Sequence, residues 1–302
     1  MVLVSILVFL LLKIAPGDPA LIMAGPGAGD KAINAIKKRL GLDEPLHIQY
    51  FTLMKKTFTG TLRSPTYHRP VGKLLTKRLK NTVELGLVAF IITIFISIPA
   101  GIISATWQDS LLDYSVTFFA LLGVSTPVFW TALMLMMFLS VFLGILPVSG
   151  QGAKVFGWSI LTVDGLRHMV IPAIALSSVQ LATNTRLTRS SMLEVLREDY
   201  ITTARSKGIK ERIVITRHAF KNALMPVLTN LGFQLRYLFA GAILTETTTA
   251  WPGVARLLYS AITRRDIPLV FALTLFTGVL FLLILLFVDL MYAYIDPRIK
   301  YD

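Results

Sequence analysis

Apolar blocks alternate with short basic segments along the whole 302-residue chain. A helix crossing about 30 Å of hydrocarbon needs about 20 apolar residues, and that length sorts the blocks. Met1–Ile14 is apolar apart from Ser5 and Lys13 but reaches only about 21 Å at 1.5 Å per residue. Either further residues precede it or the bilayer thins around it. A signal peptide is not expected, since no basic run comes first and no small-x-small cleavage site follows. Val83–Thr106 is a full span containing Pro99. Tyr114–Leu146 is too long for one straight crossing, and Ser125-Thr126-Pro127 inside it predicts a break. Proline removes a helical hydrogen bond and disfavours helical geometry at the residue before it. Met169–Leu187 is a marginal span with many polar positions; Leu224–Thr245 and Pro268–Tyr292 complete six predicted crossings.

Composition agrees with an all-α integral membrane protein. Hydrophobic residues make up 54% and charged residues 16%, against about 25% charge in soluble chains, and the mean hydropathy is +0.67. Such figures exclude a disordered chain or a collagen-like fibre. The absence of cysteine excludes disulfides, thiol catalysis and thiolate metal sites.

Thirty Lys and Arg against 17 Asp and Glu leave a net charge of +13. The positives lie between apolar blocks, where they meet anionic headgroups, and no aromatic-basic run resembles a nucleic-acid module, so no nucleic-acid partner is expected. Arg186 to Lys221 holds nine Lys/Arg and four Asp/Glu and is placed in the cytoplasm. Arg298 and Lys300 then fall on the same side. The segment 19–81, with twelve Lys/Arg and three Asp/Glu, becomes an extracytoplasmic loop. Its Lys73, Lys77, Arg78 and Lys80 oppose Val71, Leu74, Leu75 and Leu79, the pattern of an interfacial amphipathic helix. The resulting organisation is a short first span over 1–18, the loop 19–81, and a five-helix core over 82–302 with a cytoplasmic segment at 189–223.

Polar residues inside spans face other helices or a wet path. Ser177, Gln180 and Asn184 form one stripe of the fourth span, and Asn230 and Gln234 a similar one on the fifth, close to Arg236. Lining of a translocation path and plain helix-to-helix contact are both open readings of these five residues. The sixth span is nearly all Leu, Phe, Val and Ile and is expected to meet lipid, with Asp289 at its interfacial end. Gly25–Lys31 only mimics a phosphate loop. His47, His68, His168 and His218 lack metal-ligand spacing, and paired intramembrane aspartates are missing. These patterns point to a passage rather than an enzyme.

The stretch from Glu198 to Gly208 has acidic residues at its front and basic residues followed by glycine at its end, the polarity of a short helix. About three turns do not persist alone in water, so the helix needs a partner surface. Beyond it Ile213, Thr216 and Phe220 form an apolar edge leading through Asn222 and Pro226 into the fifth span.

This segment resembles the coupling loop of permease subunits in ABC importers, and the resemblance to the dipeptide/oligopeptide/nickel subfamily runs along nearly the whole chain. It rests on Ala15-Pro-Gly-Asp-Pro19, Leu40-Gly-Leu-Asp-Glu-Pro-Leu46, Gln49-Tyr50, Gly123-Val-Ser-Thr-Pro127 and Phe129-Trp130. Leu146-Pro147, Gly150, Ala250-Trp-Pro-Gly253, Arg265-Asp266, Pro268 and Asp296-Pro-Arg298 continue the order. The resemblance implies a type I ABC importer permease fold in a prokaryotic cytoplasmic membrane. It also implies an ATPase-docking helix that uses Glu198, Tyr200, Thr203, Ala204, Lys207 and Gly208. The implied partners are a second related permease chain, two ATPase subunits that hold ATP-Mg, an extracytoplasmic binding protein and lipid, with no cofactor on this chain. Short peptides are the implied cargo, with nickel complexes or oligosaccharides as alternatives.

Departures are confined to a few positions. The family usually has about twenty further N-terminal residues, by that same resemblance. Thr202-Thr203-Ala204 stands where Glu-Ala-Ala is usual, Lys221 where a proline is common, and Thr247-Thr248-Thr249 where the run is usually apolar. A self-sufficient ion-coupled carrier or channel is the reading from another class. It predicts mid-membrane ionisable pairs and inverted repeats, for which the sequence offers only Arg186, Arg236 and Glu246.

Overall fold

The computed structural model describes the backbone of residues 2–14, 19–25 and 27–295; side chains at 19, 22–23, 39–40, 235–242, 289 and 291–295 are left out of the description. The motifs Ala15–Asp18 and Asp296–Arg298, with Lys300, therefore lie outside the described residues, as do the side chains of Arg236 and Asp289. In chain order the helices are α1 (Val2–Ile14), α2 (Pro19–Ala24), α3 (Asp30–Leu40), α4 (Leu46–Phe58) and α5 (Val71–Thr106). Next come α6 (Leu111–Ser125), α7 (Val128–Leu135) running into a π-helical turn at Met136–Phe142, and α8 (Val163–Leu196). Then follow α9 (Asp199–Ser206), α10 (Glu211–Ile213), a second π-helical turn at Val214–Ala219, α11 (Phe220–Thr248), α12 (Val254–Thr263) and α13 (Ile267–Ile295). Among the described residues the extended pairing is limited to isolated bridges at Arg63–Pro70 and Val155–Trp158.

The chain divides into two compact units. The first comprises Met1–Thr82 and Pro252–Leu283. Its core gathers Leu62, Val71, Val254, Leu257, Ala261, Leu269, Val270 and Leu273, flanked by Leu74, Leu75 and Leu79. The apolar face expected on an interfacial helix thus packs on protein, and that helix is the start of α5, unbroken into the second span. Of the cations opposite, Lys73 and Lys77 are exposed, while Arg78 is drawn in: it and Asn81 both donate to the carbonyl of Pro252, at 3.1 and 2.7 Å. Segment 19–81 itself holds α2, α3 and α4, which a search for apolar blocks passes over. Buried Asp266 caps α13, accepting from the amide of Leu269 at 3.1 Å and from the hydroxyl of Ser64.

The second unit, Val83–Trp251 with Ile284–Asp302, carries the candidate site. Within it α5 presents a buried stripe every four residues, Leu85, Ala89, Thr93, Ser97, Gly101 and Ala105. Small residues let membrane helices approach closely. At Gly101 an added Cβ would lie 2.5 Å from the Cβ of Thr188 on α8, so only glycine fits that crossing. The opposite face of α5, with Leu87, Ile91, Phe95 and Ile96, stays exposed.

The break predicted at Ser125-Thr126-Pro127 is present. Thr126 has φ −97° and ψ 131°, the extended geometry a following proline imposes, and the two flanking helices bend by 112°. By length and apolarity, α5 and α13 each suffice to cross a membrane, and the bent pair passes the same test as either one broken span or a re-entrant loop. At 34 and 29 residues, α8 and α11 have the length, but polar stripes dilute their apolar character. Exposed Phe281, Leu282, Leu283, Leu286 and Phe287 give α13 the apolar surface expected of a lipid-facing helix.

Candidate functional site

Between the end of α8 and the start of α11 the chain builds a two-turn rod, α9, and anchors it. Glu198 sits at the N-cap in extended geometry, and Asp199 adds negative charge to the first turn, which the helix dipole favours. At the other end Gly208 has φ +73°. Its amide donates to Arg205 O at 2.9 Å, and that of Ile209 to Ala204 O at 3.4 Å. This is a Schellman stop. The left-handed residue is the glycine singled out from sequence, and the helix is a turn shorter than expected.

Ile201 is fully buried and Ala204 nearly so, in a core with Ala105 of α5, Met192 of α8, Val214, Ala219 and Ala223. One small helix is thereby bonded to the ends of three long ones. Glu198, Tyr200, Thr203, Lys207 and Gly208 are exposed. Ala204, expected among them, instead faces inward: it shares a side with Ile201, one turn apart. The Tyr200 hydroxyl accepts a 2.7 Å hydrogen bond from Asn222 Nδ2, which ties the rod to α11. The apolar edge beyond it differs from expectation. Ile213 and Thr216 are exposed, while Val214 and Ala219, five apart, are buried. The π-helical turn changes the period from 3.6 toward five residues and moves a different set inward.

Two ion pairs missed in the sequence brace this end. Arg205 pairs with Glu211 across the Gly208 turn at 2.7 Å, and its guanidinium holds the Glu211 carboxyl below the ordinary range. Asp113, buried at the start of α6, receives a two-pronged contact from Arg189 of α8, with Nε and Nη2 each at 2.7 Å. Ser104 and the amide of Asp109, at 3.0 Å, complete its shell. Paired forks of this kind are the strong form of charge-assisted hydrogen bond. Separated by 76 positions, Asp113 and Arg189 leave no local signal.

The polar stripes of α8 and α11 meet each other. Asn184, fully buried, donates through Nδ2 to Gln234 Oε1 and, at 3.1 Å, to Gln180 O; its Oδ1 accepts from Asn230 Nδ2 at 2.9 Å. Gln234 is buried too, and the Ser177 hydroxyl is spent on Ile174 O at 3.0 Å. Asn184, Asn230 and Gln234 therefore bond the two helices, while Gln180 and Asn230 remain half-buried. Glu246 is fully buried. Among the described residues no three His, Asp or Glu side chains are grouped so as to hold a metal ion.

Comparison with known proteins gives the family and the fold. The family described as "Binding-protein-dependent transport system inner membrane component" matches residues 97–301, and its N-terminal companion matches residues 1–85. The dipeptide transport system permease protein DppB of Alkalihalophilus pseudofirmus is 43% identical over 314 residues, covering 98% of this chain and 94% of the relative. The oligopeptide transport system permease protein AppB of Bacillus subtilis is 37% identical over 300 residues, covering 99% and 94%. Among solved structures, the MetNI methionine ABC transporter in inward-facing conformations superposes with a TM-score of 0.55 at 16% identity, covering 74% of this chain and 96% of that one. The fold is that of an all-α ABC transporter permease, and the chain belongs to the family of binding-protein-dependent transport system inner membrane components.

Proposed function

We propose that this chain is one of two related permease subunits of an ATP-driven importer of short peptides, and that α9 is the helix on which an ATPase subunit pulls. The cargo follows the names of the relatives, which are dipeptide and oligopeptide permeases. The observation that carries the docking role is the two-sided rod: buried Ile201 and Ala204 join it to α5, α8 and the start of α11, and its polar face is left exposed. A force on that face is transmitted to three span ends at once.

In this reading two ATPase subunits hold ATP-Mg, close on it and draw the two coupling helices together. The spans then switch from one rigid packing to another, an external binding protein releases its peptide, and hydrolysis resets the cycle. This chain positions and transmits; bond breaking belongs to its partners.

Reconstitution tests the proposal. The full complex in vesicles takes up a tripeptide only with ATP, ATPase subunits and binding protein together. Gly208→Val places a β-branched residue in left-handed geometry at roughly 1–2 kcal/mol, with no neighbour within 4 Å to clash. Hydrolysis is expected to continue while uptake falls. Uptake by this chain alone under an ion gradient would overturn the proposal in favour of a secondary carrier.

A further inference from the structure

The fork of Arg189 on Asp113 stands beside the core under α9. Along 101–105 of α5 and 188–192 of α8, three contacts follow one another. Gly101 meets Thr188 with no room for a Cβ. Ser104 donates to the Asp113 carboxylate, which Arg189 grips from α8. Ala105 and Met192 then share the core of Ile201 and Ala204. That core omits α6: among the described residues it draws on α5, α8, α9 and the segment leading into α11. Whatever α9 delivers to α6 has to pass through another contact.

Asp113 does more than start its own helix. The Ser110 hydroxyl accepts from the amide of Asp113 at 3.3 Å, and Asp113 Oδ2 accepts from the amide of Asp109 at 3.0 Å. Those two bonds complete a local cap. The remaining contacts reach outward: Oδ1 takes the Ser104 hydroxyl from α5 and Arg189 Nε from α8, and Nη2 adds a second prong at Oδ2. Among the described residues, every hydrogen bond that leads from α6 to another helix ends on this carboxylate. The two partners are unequal, since the Arg189 side chain is 29% exposed and that of Asp113 only 3%. Parting a buried carboxylate from its cation is strongly unfavourable, so the fork stays closed and α6 goes where α8 goes. At its far end α6 is seated on α8 again, because a Cβ on Gly123 would stand 3.0 Å from Ala182 Cβ and from Ser178 O.

We infer that Asp113 and Arg189 form the joint that carries the stroke of α9 into α6, and through α6 into the bent α6–α7 pair. They are positioning residues of the transport cycle. The inference rests on the importer reading above and adds a fourth helix to the three that α9 holds through its core. A force arriving at Met192 is one turn of α8 from Arg189, and the two-pronged contact fixes orientation as well as distance. A single-pronged contact would let α6 swivel; this one moves α6 and α8 as one body. The Arg205–Glu211 pair on the same end closes only the turn after α9 and reaches no further helix.

The joint is tested in the full complex in vesicles, read as phosphate released per tripeptide accumulated by each assembled complex. Asp113→Asn keeps the shape and strands no buried charge. Its ratio is expected to rise at least about fivefold, the low end of ordinary couplings between sites. Arg189→Lys keeps the charge but loses the fork, and its ratio should fall between that of Asp113→Asn and the parent. The chain has no cysteine of its own, so Asp113→Cys combined with Arg189→Cys offers a rescue. With its thiols free this pair is expected to be uncoupled, and a short permeant bismaleimide bridging them is expected to restore the parent ratio. Should Asp113→Asn fail to assemble, Arg189→Lys and the bridged pair carry the test. Variants with a lowered thermal midpoint but the parent ratio, or a bridged pair as uncoupled as the free one, would overturn the inference and leave the fork a structural brace. Absence of ATP-driven uptake in the unsubstituted complex would instead overturn the importer reading.

Discussion

Two regions of the second unit carry polar residues in helical stripes, and the structure uses them in opposite ways. In the seam between α8 and α11 the amides turn toward each other: Asn184 holds Gln234, Gln180 O and Asn230 simultaneously. On α9 the apolar residues are buried and the polar ones face outward. A polar group in a membrane protein becomes available to a substrate or partner only when its hydrogen bonds are not already spent inside the chain. By that measure the seam is a fastening, and α9 is the surface left for others.

Substitutions can break this contrast. Ile201→Ala removes the buried anchor of α9 and should cost about 2–4 kcal/mol locally. The expected outcome is a complex that inserts but hydrolyses ATP without uptake, read as the ratio of phosphate released to peptide accumulated. Asn184→Leu strands the amides of Gln234 and Asn230 and should cost about 1–2 kcal/mol. It is expected to lower the thermal midpoint of the detergent-purified complex and to leave KM for peptide unchanged. A changed KM with an unchanged midpoint would make the seam part of the path.

Arg205→Ala gives the smallest effect, at most about 0.5 kcal/mol for an exposed, screened pair. Its sign with pH follows from Glu211, whose carboxyl Arg205 holds below the ordinary range. The pair's contribution is complete above the unfolded-state carboxylate pKa and is lost as pH falls through the lowered one. The difference between Arg205→Ala and the parent in thermal midpoint should therefore vanish in acid.

Legibility in the sequence followed the range of the interaction. The break at Thr126-Pro127 and the helix stop at Gly208 are set by one or two residues acting on their own backbone, and both stand where the sequence puts them. The amide stripes were legible as stripes. Whether they faced each other or a path depended on how α8 and α11 rotate, which no single helix records. The π-helical turn before α11 was hidden for a related reason: burial of both Val214 and Ala219 in one core sets that register, against the 3.6-residue period of the sequence. The fork of Arg189 on Asp113 joins distant positions and has no local trace. Helices α3 and α4 were missed because their composition is mixed, and length of apolar run was the wrong measure for them.

The central claim is that α9 carries force between this chain and an ATPase. Thr203 is exposed on that helix and its hydroxyl is spent only on Asp199 O, so Thr203→Cys with a short photoactivatable maleimide leaves the fold intact. In the assembled transporter the account predicts a cross-linked species containing this chain and an ATPase subunit, with a yield that changes when ATP binds. Cross-links to lipid alone, or labelling of that cysteine by an impermeant reagent applied from the side of the binding protein, would contradict it.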